Sequence, residues 1–164
     1  MPSEAASLRA VQAISIFAST TASGASLALS FFLVPRLLES PTPLMLRQWV
    51  NSFNVTKKVF PVLGHLAGLS YFYLAYKTKS RLFLTAGVLC AGMTPYTFGV
   101  IMPTNRKLMA KADEMRSMGA TDEVVEIGAR EETAKYLVDH WGILNLPRGL
   151  MLAAAGAIGL YASL

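Results

Sequence analysis

The chain has 164 residues, 53% of them hydrophobic and only 15% charged, where an ordinary soluble domain carries roughly 25% charged residues. With a mean hydropathy of +0.42, this balance excludes a disordered or low-complexity chain. The net charge of +5 lies between apolar runs, which describes the basic flanks of a membrane protein rather than a nucleic-acid binder. A single cysteine leaves no disulfide framework, CxxC redox pair or cysteine-ligated zinc or iron–sulfur site within one chain.

A bilayer core of about 30 Å needs about 20 apolar residues in a helix, and four segments reach or approach that length. Residues 8–34 carry Arg9 as their one charge, at the very start. The run exceeds the roughly 7–15 apolar residues of a signal peptide and lacks a strong basic lead-in, so it reads as a retained helix. Ser15, Ser19, Ser23, Ser26 and Ser30 form a small polar stripe along it, which fits helix packing better than a hydroxyl-lined ligand groove. Residues 35–58 hold Pro35, Pro41 and Pro43, and read as an irregular or partly helical loop. The sequon Asn54-Val55-Thr56 lies there, too near the next span to expect efficient glycosylation.

Residues 59–76 form the second span, free of Lys, Arg, Asp and Glu, with Gly64 and Gly68 as a close-packing pair. Residues 77–81 are a tight basic turn. The third span, 82–102, is again uncharged, and Pro95 in its middle predicts a kink. Residues 105–140 are the one long polar stretch. Within it, Leu108, Met109, Ala112 and Met115 predict an amphipathic helix over 106–118, ended by Gly119. Thr121 and Asp122 offer caps for another helix with Asp122, Glu123 and Glu126 in its first turn, followed by an i, i+4 pair of Glu131 and Lys135. The fourth span, 142–164, is interrupted by Arg148 alone, and carries Gly149, Ala153 and Gly156 on one face.

No alternation supports barrel strands. The expected architecture is all-α: a four-transmembrane-helix bundle in one membrane-embedded domain, residues 1–164, with an amphipathic helical excursion between the third and fourth spans. Basic residues flank both ends of the spans, so charge does not fix the orientation.

Ionisable groups within spans are costly and are functional candidates by default. His65 lies about six residues inside the second span, as a proton acceptor, a metal ligand or simply a packed histidine. Trp141, Asn145 and Arg148 stand at i, i+4 and i+7 and project from one helix face. Arg148 is about 9 Å beyond Gly142 along the axis. An interfacial tryptophan, a capping amide near Pro147 and a snorkelling arginine would match the same spacing. His140, beside Asp139, is a second acid–base candidate. Asn105 follows the third span at the depth of Trp141, because one loop joins the two ends. His65, Asn105, Asn145 and Arg148 therefore converge on one end of the bundle.

The patterns Pro103-x-Asn105-x-x-Leu108 and Trp141-x-x-x-Asn145-x-x-Arg148, set across a helical excursion in a small four-span protein, resemble the anthrone oxygenase-like (DUF1772) family. The resemblance implies an enzyme of aromatic polyketide pathways that oxidises an anthrone to a quinone with molecular oxygen, and it singles out Asn105, Trp141, Asn145 and Arg148. His65 rests on its depth alone. The chemistry suits these residues: an anthrone's central methylene is acidic, and its anion is electron-rich enough to reduce dioxygen without a metal. The expected roles are His65 as base with His140 in reserve, Arg148 as counter-cation, Asn105 and Asn145 as donors to the oxyanion, and Trp141 as a stacking wall.

No cofactor is expected beyond oxygen as co-substrate, and no HExxH, GxGxxG or P-loop occurs. A metal or haem on the two histidines stays open. The expected partners are a hydrophobic aromatic substrate and the lipid bilayer of an internal membrane such as the endoplasmic reticulum, with no nucleic acid. Small-residue faces on the first and fourth spans also fit a homo-oligomer. Two further classes share these residues: a cyclase or isomerase working by proton transfer on an apolar polyketide or terpenoid, and a non-catalytic membrane scaffold.

Overall fold

The computed structural model describes residues 4–126 and 129–164, without the side chain of Glu131; the expected Glu131–Lys135 pair thus lies outside the described residues. Four long helices make up the bundle: α1 (Glu4–Leu38), α2 (Thr42–Thr78), α3 (Arg81–Glu114) and α4 (Ala134–Tyr161). Each is long and apolar enough to cross a membrane, and no strand occurs among the described residues. Consecutive helices pack side by side, and α4 closes the ring against α1. At 37 residues, α2 is about 55 Å long, well beyond a bilayer core of about 30 Å.

The extra length comes from segments expected to be loops. Residues 35–58 are helical apart from a short break before Thr42, and 106–118 is no separate helix because α3 runs unbroken to Glu114. Proline misled the expectation for a physical reason. A proline inside a helix lacks an N–H and presses its ring on the carbonyl four residues back. Two of the long helices widen ahead of a proline, whereas α2 continues through Pro61 and α4 through Pro147 without a π-helical turn. Leu29–Leu33 and Thr97–Ile101 are π-helical turns, each ending two residues before a proline, Pro35 and Pro103. The Val34 N–H bonds the Leu29 carbonyl and the Met102 N–H bonds that of Thr97, one residue further back than in an α-helix. Pro43 needs no such relief, because it stands in the first turn of α2 where no N–H partner exists. The expected kink at Pro95 shifts likewise: Pro95 lies within regular helix, and the departure from α geometry begins at Thr97.

The helix expected from residue 121 is absent. Its acids bond across the connector instead: the Asp122 carboxylate accepts the Gly119 N–H at 2.6 Å, and both Glu126 carboxylate oxygens accept the Ala134 N–H at 2.9 and 3.0 Å. Glu126 also pairs with Lys111 at 3.2 Å, and Arg47 donates to the carbonyls of Arg116 and Met118. α4 starts only after Thr133, whose Oγ1 accepts the Tyr136 N–H.

Two buried clusters form the core. One, at the connector end, gathers Met45, Leu46, Trp49, Ile101, Leu108, Val138 and Trp141. The other gathers Ala18, Ala22, Tyr71, Phe83, Cys90, Met93 and Leu152. The serine stripe of α1 is a packing seam. Ser23 donates to the Gly149 carbonyl at 2.9 Å, Ser30 to the Gly142 carbonyl at 2.7 Å, and Ser19 meets the Tyr71 hydroxyl at 3.1 Å. Glycine on α4 is what lets α1 come this close. A Cβ on Gly149 would stand 2.6 Å from Leu27 Cδ2, and one on Gly156 would stand 2.7 Å from Thr20 Cγ2.

Overpacking that seam costs about 1–3 kcal/mol, so Gly149→Leu lowers the unfolding temperature in detergent. Gly92→Ala, where an added Cβ meets nothing within 4 Å, leaves the temperature level or raises stability by up to about 1 kcal/mol.

Candidate functional site

Between the two core clusters, α2, α3 and α4 leave a cavity of about 270 Å³, near the lower end of ligand-pocket sizes. α2 supplies Phe53, Thr56, Lys57, Phe60, Pro61 and His65, all on the single face that a helical period of 3.6 residues brings round. α3 supplies Thr94, Phe98 and Asn105 among others, and α4 supplies Trp141, Asn145 and Arg148. Asn105, Trp141 and Asn145 are buried and make the floor, whereas Lys57, His65 and Phe98 are exposed. The mouth therefore opens sideways between α2 and α3.

Arg148 is the more buried of the two cationic residues, with Lys57, that line the cavity. Its Nε donates to Ser26 Oγ at 3.4 Å, and its guanidinium carbon stands 5.9 Å from the centroid of the Phe60 ring. No Asp or Glu lines the cavity, and among the described residues no carboxylate pairs with Arg148. A half-buried guanidinium offers five N–H donors, of which one is engaged here. Charges held inside a protein normally have a partner, and an anion on a ligand can supply one here.

Asn145 already engages one amide donor within its own helix. Asn145 is fully buried, and its Nδ2 donates to the Trp141 carbonyl at 2.7 Å, four residues back. What it leaves without a partner is Oδ1, and the buried Asn105 Oδ1 is likewise unpaired. Leaving such an atom unpaired costs about 1–3 kcal/mol. Above them stands an aromatic tier. Trp141 meets Trp49 edge-on at 5.7 Å, and Trp49 stacks on Phe53 at 5.1 Å.

Of the two histidines, only His65 lines the cavity. Its Nε2 lies 2.9 Å from Thr94 Oγ1, so one ring nitrogen is oriented by α3. His140 stacks on Tyr136 at 5.8 Å and does not line the cavity; the second acid–base candidate is not brought to the site. Among the described residues no three His, Cys, Asp or Glu side chains come together. Lys57, Thr94, Phe53 and Phe60 were absent from the expectations. The one-face spacing of Trp49, Phe53, Thr56 and Phe60 was a readable signal, hidden by taking residues 35–58 as loop.

The family model for anthrone oxygenases matches residues 49–158, which covers the cavity-lining parts of α2, α3 and α4 and the connector. The chain belongs to the anthrone oxygenase family and is an oxygenase of the anthrone type. It is similar to the anthrone oxygenase encC of Aspergillus fumigatus, 29% identical over 94% of this chain and 92% of that one. Against the anthrone oxygenase AgnL2 of Paecilomyces divaricatus the identity is 28%, over 93% and 94%. The noranthrone monooxygenase of Aspergillus flavus is 27% identical over 90% of this chain and 70% of its own. No solved structure matches the chain.

Asn145→Leu keeps the branched outline of the side chain and removes a buried unpaired acceptor. Its unfolding temperature in detergent stays at or above that of the unaltered protein, because the lost helix-internal bond contributes only about 1 kcal/mol.

Proposed function

We propose that the protein, embedded in an internal membrane, oxidises a hydroxylated anthrone to the anthraquinone with molecular oxygen inside this cavity. The observation that carries the proposal is the uncompensated Arg148 guanidinium in an aromatic-walled cavity without a carboxylate. The family and the four apolar helices support it.

The substrate slides in between α2 and α3 from the apolar phase and lies flat against Trp141. Asn105 and Asn145 stand at the floor beside it. The imidazole of His65, oriented by Thr94, removes a proton from the central methylene. The carbonyl oxygen opposite gains the charge, and Arg148 stabilises it as it forms. Such positioned donors, acting away from bulk water, supply the largest single contribution in many enzymes. The anion then passes one electron to dioxygen, and the radical pair combines into a C–O bond. Protonation gives a hydroperoxide, whose loss of water leaves the second carbonyl. One oxygen molecule is consumed, one oxygen atom stays in the quinone and the other leaves as water. The substrate anion itself is the reductant, so no separate electron carrier is required.

The test incubates detergent-purified protein with an anthrone under oxygen and under argon. Quinone formation with stoichiometric oxygen uptake, absent under argon, is the expected result. An isomerised or cyclised product under argon would replace the proposal with a proton-transfer enzyme. Arg148→Gln lowers kcat/KM by about a hundredfold, the typical loss on removing one oxyanion donor. His65→Asn lowers kcat by about 10²–10⁴-fold, and the loss shrinks as pH rises and solvent base ionises the substrate instead.

A further inference from the structure

Between Thr94 and Thr97, which both line the cavity, stands a tyrosine that does not line it and has no part in the steps above. The Tyr96 hydroxyl crosses from α3 to α4 and donates to the Leu144 carbonyl at 3.0 Å. Two residues earlier on α3, Thr94 Oγ1 lies 2.9 Å from Nε2 of His65 on α2. Side chains two positions apart on a helix point about 200° apart, so positions 94 and 96 serve opposite neighbours. Between them Pro95, with its φ fixed by the ring, lies in regular helix. Thr94-Pro95-Tyr96 is therefore a short strut with α2 at one end and α4 at the other.

The strut meets α4 where that helix has lost a bond of its own. Pro147 lies within α4 and has no N–H, so the Ile143 carbonyl four residues back lacks its regular helical donor. The next carbonyl along, that of Leu144, is the one Tyr96 holds, and Leu144 stands one turn before Arg148. Ser26 and Phe60 contact the guanidinium itself, whereas Tyr96 ties down the turn of backbone from which it springs. We propose that Tyr96 is a positioning residue that places the Arg148 guanidinium relative to His65 across the cavity. It acts through the Leu144 carbonyl and touches no substrate. The inference rests on the proposed anthrone oxidation, in which His65 and Arg148 act on opposite positions of the substrate's central ring. Their separation must then match that ring, and a misplacement of about 1 Å costs up to about a hundredfold in rate.

Tyr96→Phe removes the hydroxyl and keeps the ring. The unaltered protein, Tyr96→Phe, Arg148→Gln and the double variant are assayed in detergent for quinone formation from an anthrone under oxygen, above the rate without protein. Tyr96→Phe is expected to lower kcat about tenfold and to leave KM within about twofold, because the cavity walls that bind the rings are untouched. Its unfolding temperature falls by no more than about 4 °C, the effect of one lost hydrogen bond in a chain of this size. In the Arg148→Gln background the same change costs less than about twofold, since no guanidinium remains to be placed; groups that act as a unit show such non-additive losses. A hydroxyl that merely braces the bundle lowers the rate by the same factor in both backgrounds. That result, a larger fall in unfolding temperature, or an unchanged kcat in Tyr96→Phe overturns the positioning role while leaving the oxidation intact. No quinone from the unaltered protein overturns the oxidation, and this inference with it.

Discussion

The uncompensated guanidinium of Arg148 governs the architecture around it. A cation this deep needs polar and aromatic neighbours, and the bundle brings them from two other helices. Ser26 accepts from Nε, and Phe60 sets its ring beneath the charge. Both contacts demand close helix approach. Ser26 can reach Arg148 because Gly149, the next residue on α4, lets α1 pack within contact of its backbone through Leu27 and Ser23. The glycine and serine seams and the charged site are therefore one design: small residues close the bundle on the α1 side, and the bulk needed for a pocket is left on the α2–α3 side. Because no carboxylate answers the guanidinium, its electrostatic field points into the cavity, where an anionic ligand can meet it.

Prolines shape the same region. Pro35 and Pro103 each follow a π-helical turn, and such turns are frequent at functional sites. The turn on α3 carries Thr97, Phe98 and Ile101 into the cavity wall, and Asn105 follows one turn later. An unbroken α-helix would rotate these residues relative to one another. The widened turn thus both relieves the Pro103 ring and sets the angle at which Asn105 meets the floor. Pro61 on the opposing wall of the mouth lies within α2, so both helices bordering the opening are interrupted in their hydrogen bonding there.

Much of the fold and some of the site could be read directly. Hydropathy and span length imply four apolar helices, since a membrane-length apolar run has few other solutions. The i, i+4, i+7 spacing of Trp141, Asn145 and Arg148 places them on one face because helix geometry is local, and the structure sets all three in the cavity. His65 was singled out by its depth and does line the mouth. His140 was not separable from it in the chain, because stacking on Tyr136 outside the cavity depends on the rotation of α4 as a whole. The α2 face from Phe53 to Phe60 went unread because three prolines outweighed a clear helical period.

What the sequence determined by itself is whatever depends on neighbours a few residues away: helical spans, small-residue faces, and the joint projection of residues one and two turns apart. The tertiary structure alone decided the rest. The absence of any carboxylate among the residues lining the cavity with Arg148, and the burial of Asn105 and Asn145, are properties of three helices meeting. So is the presence of Lys57 at the mouth. Each depends on helix rotation and separation set by packing over the whole bundle, and hydrogen-bond partners that come from other helices leave no periodic trace in the chain.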